Sequence, residues 1–101
     1  MAAEYNYQEL ARSIGQLVEE KQAAYGDSFG KSGNCLREMF PNGVKPEQLD
    51  MVLTFARILD KMFRLATDPT AFDECPWQDM AGYCLLKVKE WEDGEPRKGN
   101  L

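Results

Sequence analysis

Apolar residues recur at steps of three and four along three long segments of the chain, which is the spacing typical of amphipathic helices. The first segment covers residues 7–25, with Asn6 as its N-cap and Gly26 at its end. The others cover residues 46–67 and 76–93, and each begins with a proline, which favours the first turn of a helix. No segment shows sustained strand-like alternation, so the pattern predicts an all-α fold.

The connections predict one further, shorter helix. Residues 26–34 contain three glycines, a composition that predicts an irregular loop. Residues 35–40 have helical apolar spacing and are followed by a Pro-Asn-Gly turn at 41–43. The expected architecture is a compact bundle of three main helices and one short helix, in a single domain over residues 1–93 with a flexible tail over 94–101. Because a domain of this size buries a modest core, we expect self-association to complete the bundle.

Composition narrows the function classes. The 101 residues include 12 Lys and Arg against 17 Asp and Glu, a formal net charge of −5, and 44% are hydrophobic. No stretch approaches the roughly 20 apolar residues of a membrane span, and the first residues lack the basic start and apolar run of a secretory signal, so we expect a soluble cytoplasmic protein. The acidic balance argues against direct nucleic-acid binding. The chain contains no histidine, which excludes Ser-His and Cys-His nucleophile pairs. Its three cysteines form no CxxC pair and predict reduced core residues.

The glycine-rich segment has a partial likeness to a phosphate-binding loop. Gly26, Gly30, Lys31 and Ser32 match the end of GxxxxGK[ST], but only three residues separate the two glycines and the segment follows a helix. A nucleotide-triphosphatase loop is therefore not expected. Two interpretations stay open, namely an ordinary surface loop or a cradle in which backbone N–H groups and Lys31 hold an anion.

The helix predicted over residues 46–67 carries charged residues along one flank. Arg57, Lys61 and Arg64 are spaced i, i+4, i+7, and Asp60 lies within a turn of both arginines. This flank is either a solvated face or a site where guanidinium groups grip phosphate. Carboxylates on three helices also raise the hypothesis of a magnesium site, against the alternative that they are solvated. The candidate ligands are Glu20, Asp60 and Asp79.

Three segments together resemble a known family. They cover residues 21–29, 57–64 and 76–83, and they are similar to small bacteriophage proteins related to the type-1 nucleotide modification associated domain. That family is all-helical and distantly similar to MazG-type nucleotide pyrophosphohydrolases. The resemblance implies that its polar signature positions gather round one pocket. Those positions are Tyr25, Asp27, Arg57, Asp60, Lys61, Arg64, Asp79 and Tyr83.

One departure from the hydrolases affects the expected function. Their magnesium is held by paired ExxE and ExxD helices, whereas here Glu20 is followed three residues later by Ala23 and Asp60 by Phe63. Without those pairs the metal cage is missing. The resemblance therefore implies a phage-type accessory protein that binds a nucleotide or phosphorylated small molecule without turnover and needs no cofactor. Such a binder would sequester a nucleotide signal of host antiviral defence.

Two alternatives stay open at this stage. One is a magnesium-dependent nucleotide pyrophosphohydrolase that uses carboxylates to hold the metal and activate water. The other is an acidic protein–protein inhibitor of a host defence protein, for which small size and a net charge of −5 are suitable.

Overall fold

The computed structural model describes residues 6–94, and within that range the chain forms four α-helices and no strand. Two short 3₁₀ turns, Pro46–Gln48 and Ala71–Asp73, lead into the third and fourth helices. The all-α prediction is confirmed. The tail predicted over 94–101 lies outside the described residues from position 95 onward. No helix in the described range is long and apolar enough to cross a membrane. The helices are α1 (Tyr7–Tyr25), α2 (Ser28–Met39), α3 (Leu49–Thr67) and α4 (Pro76–Gly94).

The boundaries of α1 follow from its caps. The side chain of Asn6 accepts hydrogen bonds from the backbone N–H groups of Gln8 at 2.9 Å and Glu9 at 3.3 Å. These bonds satisfy donors that the first turn of a helix otherwise leaves free. At the other end, Gly26 adopts the left-handed conformation with φ of 60°. The predicted helix over residues 7–25 is therefore confirmed.

The prediction of an irregular loop over residues 26–34 is wrong. Helix α2 begins at Ser28 and continues through the shorter helix expected at 35–40. Its start is fixed by Asp27, whose carboxylate accepts a hydrogen bond from the Gly30 N–H at 3.2 Å and whose carbonyl accepts from the Gly30 and Lys31 N–H groups. Each glycine inside a helix costs about 1 kcal/mol. The cap, together with packing of α2 on α3, offsets that cost.

Helix α3 is the hub of the arrangement, since the main helix–helix contacts pair it with each of the other three helices. Few side chains are fully covered as a result. Within residues 6–94, Ala24 and Pro76 are the only buried apolar residues, whereas seventeen large apolar side chains are between 39% and 93% exposed. Much of the apolar surface that a closed bundle would bury is therefore open.

The left-handed conformation of Gly26 between α1 and α2 can be tested by mutation. We expect Gly26→Ala to lower the free energy of unfolding by about 2 kcal/mol, because a left-handed φ disfavours alanine by about 1 kcal/mol. The added Cβ would also collide with the Thr67 hydroxyl. In a Thr67→Ala background the loss should fall to about 1 kcal/mol. Urea denaturation of the four proteins measures both values. Equal stability of wild type and Gly26→Ala would contradict the prediction.

Candidate functional site

Polar and aromatic side chains from three helices meet at one place on the surface of α3. We call this group the polar cluster, and it comprises Tyr25 at the end of α1, Arg57 and Lys61 on α3, and Asp79 and Tyr83 on α4. Arg57 and Lys61 are four residues apart and therefore lie on one side of their helix. Asp79 and Tyr83 have the same spacing on α4. The two helices thus face each other with complementary polar residues.

Lys61 is the centre of the polar cluster. Its Nζ lies 2.9 Å from Oδ2 of Asp79, and its side chain is 15% exposed. The hydrogen bond to Asp79 raises the pKa of Lys61, and the nearby hydroxyls of Tyr25 and Tyr83 add to that effect, whereas partial burial opposes it. Lys61 is consequently a protonated, partly buried cation held by Asp79.

Arg57 lies one helical turn away and is exposed. Its guanidinium carbon is 5.9 Å from the centroid of the Tyr83 ring, a cation–π distance. This contact orients the arginine along the surface and leaves its N–H groups accessible to an anion. Arg57 and Lys61 therefore present two cations one helical turn apart, the first against Tyr83 and the second paired with Asp79.

Lys21 and Phe72 extend the cluster, and the sequence analysis missed both. The Nζ of Lys21 lies 4.4 Å from the Phe72 centroid and 6.0 Å from that of Tyr25. The Tyr25 and Phe72 rings are 6.4 Å apart. Lys21 could have been found from its spacing, one helical turn before Tyr25. Phe72 has a φ of 60°, which no pattern in the sequence indicates.

Arg64, a predicted ligand residue, is fully buried and engaged with the chain itself. Its Nη1 donates to Oε1 of Glu74 at 2.7 Å, and its Nη2 donates to the carbonyl of Ala71 and, at 3.1 Å, to that of Glu74. These bonds hold the connection in which Phe72 and Asp73 both have positive φ. Arg64 thus stabilises the connection that contains Phe72, and its side chain is not exposed at the surface.

Asp27 and Lys31 lie at the start of α2. Hydrogen bonds from Gln22 and from the Gly30 N–H lower the pKa of Asp27, with a further contribution from Lys31 and an opposing one from desolvation. The Gly30 N–H, which the sequence suggested could help to hold an anion, already donates to the Asp27 carboxylate. The glycine-rich segment therefore forms the capped start of α2. Asp27 and Lys31 make no contact with Lys61 among those the described residues show.

The three predicted metal ligands are engaged separately. Asp60 accepts a 2.7 Å hydrogen bond from the buried hydroxyl of Ser28, which ties α2 to α3. Asp79 pairs with Lys61, and Glu20 accepts from Gln16 on the exposed side of α1. Within residues 6–94 no group of three or more Asp, Glu, Cys or His side chains is arranged to hold a metal ion. The described residues thus provide no carboxylate cage.

The Lys61–Asp79 pair has a measurable pH signature. We expect Asp79→Asn to cost about 0.5–1 kcal/mol at pH 7, a modest value because the pair is partly exposed. A raised lysine pKa stabilises the folded state fully at pH values below the ordinary lysine pKa of 10.5, and this contribution is lost as the pH rises through the folded pKa. The stability difference between wild type and Asp79→Asn should therefore shrink above pH 10.5. Denaturation curves recorded at neutral and alkaline pH measure it, and a constant difference would contradict the assignment.

Comparisons of the chain with protein-family models, curated proteins and solved structures gave no match. The interpretation of the polar cluster therefore depends on its own geometry and on the sequence resemblance described above.

Proposed function

We propose that this protein binds a nucleotide or another phosphorylated small molecule at the polar cluster, without turnover. The observation that carries the proposal is the placement of Arg57 and Lys61 one helical turn apart, with the Tyr83 ring 5.9 Å from the arginine and Asp79 2.9 Å from the lysine ammonium. Arginine holds phosphate oxygens through paired N–H bonds, and lysine adds a point charge. Aromatic rings provide stacking surfaces for a base.

Lys21 strengthens the proposed site. It places a third cation beside the Tyr25 and Phe72 rings. In this proposal Lys21, Arg57 and Lys61 together contact more than one phosphate group of the ligand. This local concentration occurs in a chain whose net charge is −5, so it favours a small anionic ligand over a polymer that would meet the whole acidic surface.

Binding without turnover is preferred to the magnesium-dependent pyrophosphohydrolase. Hydrolysis by that route needs carboxylates grouped round a metal ion, and the candidate carboxylates among the described residues are instead paired with other side chains. The resemblance to phage proteins supports a more specific role, in which the protein sequesters a nucleotide signal of host defence in the host cytoplasm. In this proposal magnesium is not required, and the protein acts as a homo-oligomer.

A second candidate function is supported by a different observation. The outer surface of α4 carries large apolar side chains that are between 54% and 70% exposed. An exposed patch of this kind is typical of a protein–protein interface, so an acidic inhibitor of a host defence protein is the runner-up. The patch consists of Trp77, Leu85, Leu86 and Val88.

Calorimetric titration with ligand recovery separates these functions. Mononucleotides, dinucleotides and cyclic nucleotides, each with and without magnesium, are titrated into the protein, and the ligand is then recovered and chromatographed. Binding with intact recovery supports the proposal, whereas cleavage supports the hydrolase. If no member of the panel binds, the nucleotide proposal fails and the protein-partner function becomes preferred.

A further inference from the structure

Helix α1 carries a single apolar stripe, only one end of which is covered. At 100° per residue the apolar positions fall on one side of the helix, and the charged residues Glu9, Arg12 and Glu19 fall on the other. Near the C-terminal end of the stripe, Ala24 is 5% exposed. The uncovered part, which we call the α1 stripe, ranges from 39% to 51% exposure. It consists of Leu10, Ile14, Leu17 and Val18.

This part of α1 needs a partner for physical reasons. A helical segment of about twelve residues is marginally stable in water, and tertiary packing of its apolar face supplies most of the stability of protein helices. Residues 7–18 are nevertheless helical throughout, and all of them are exposed. The apolar surface that should stabilise this segment is therefore available for another molecule.

We propose that a second copy of this chain covers the α1 stripe, with the two α1 helices antiparallel about a two-fold axis near Ile14. A two-fold interface uses the same patch on both copies, so the patch must be self-complementary. The α1 stripe meets this condition because it contains no charged residue, so two chains of net charge −5 can approach there without direct like-charge contact. The inference specifies the surface for the self-association included in the proposed function.

The register of this pairing has a consequence for the candidate site. Leu10 and Val18 are each four residues from Ile14, so Leu10 of one copy would lie opposite Val18 of the partner subunit. Tyr7 and Lys21 are each seven residues away. Tyr7, which is 85% exposed, would then lie opposite the partner's Lys21, at the edge of the partner's polar cluster.

The available area predicts how strong this dimer should be. Tyr7 and the α1 stripe together are five partly exposed side chains per copy, compared with about 20–30 residues a side in an interface of standard size. An interface this small favours a weak, reversible dimer over an obligate one. The inferred interface is weak but specific.

Sedimentation velocity across the micromolar range tests the inference. We expect wild type to dimerise and Ile14→Glu/Leu17→Glu to weaken dimerisation by at least about 100-fold, because the variant places four carboxylates in the apolar contact. Both replaced side chains are 51% exposed, so the fold of one chain should be retained, as far-UV circular dichroism will check. If the glutamates reduce helicity, Ile14→Ser/Leu17→Ser provides a milder variant.

A matched control adds the same number of charges elsewhere on α1. Gln8→Glu/Gly15→Glu lies on a flank of the helix outside the α1 stripe, where a Cβ at position 15 meets nothing within 4 Å, and it should dimerise like wild type. Leu85→Glu/Leu86→Glu tests the α4 patch. A monomeric wild type would overturn self-association altogether. A dimer that resists the α1 variants and is lost in the α4 variant would overturn only the α1 assignment. Neither outcome depends on whether a nucleotide binds.

Discussion

Replacing Arg64 with alanine should lower the free energy of unfolding by about 3 kcal/mol, which corresponds to a fall in Tm of about 15 °C for a domain of this size. The side chain is fully buried and donates to the carboxylate of Glu74 and to two backbone carbonyls. Alanine would remove these bonds and leave a cavity, and it would release the connection that carries Phe72. Thermal and urea denaturation measure the loss.

Three further variants separate the causes. Arg64→Lys keeps the charge but not the planar fork, so it should recover only part of the stability. Glu74→Gln should cost under about 1 kcal/mol because the Glu74 side chain is 50% exposed. Arg37→Ala, at an exposed arginine bonded to Asn34, is the matched control and should be close to neutral. Equal stability of Arg64→Ala and Arg37→Ala, combined with a loss of nucleotide binding in the first, would instead make Arg64 a ligand residue.

The helices that the sequence predicted well are those whose ends depend on local chemistry. Asn6 caps α1 through bonds to residues two and three positions away, and Gly26 ends it because glycine tolerates a left-handed φ. Asp68 ends α3 with its N–H bonded to the Arg64 carbonyl, and a proline precludes regular continuation. Interactions of this range are determined by residue type and spacing, so they can be inferred without knowledge of the fold.

Features that depend on tertiary context were not predictable in the same way. Three glycines indicate a loop, but the Asp27 cap and the packing surface of α3 make residues 28–39 helical. Arg64 has the same helical spacing as Arg57 and Lys61, yet it alone of the three is buried. Arg64 is buried because the connection after α3 supplies the Ala71 and Glu74 carbonyls that accept its hydrogen bonds. Residue spacing could place Lys61, Asp79 and Tyr83 on facing helices. It could not determine which carboxylates pair with cations and which stay available to a metal ion.

At the candidate site, we expect Arg57→Gln to weaken nucleotide binding by about 10- to 100-fold, which is the value of one or two charge-assisted hydrogen bonds to phosphate. Arg57 is exposed and makes no salt bridge among those found within the described residues, so the stability of the variant should stay within about 0.5 kcal/mol of wild type. Isothermal titration with the tightest ligand of the panel measures the change. Arg12→Gln, thirteen residues before Tyr25 on α1, is the matched control and should bind like wild type.

Asp79→Asn should have the opposite effect on binding. Asp79 competes with an incoming anion for the Lys61 ammonium, since its carboxylate oxygen lies 2.9 Å from Nζ. Removing that negative charge should raise the affinity for phosphate groups, by up to about 10-fold, even though the folded state loses some stability. A purely structural ion pair predicts a different pattern, in which Arg57→Gln is silent and Asp79→Asn changes stability alone. Opposite signs at Arg57 and Asp79 would therefore identify the polar cluster as an anion site and not as a surface salt bridge between α3 and α4.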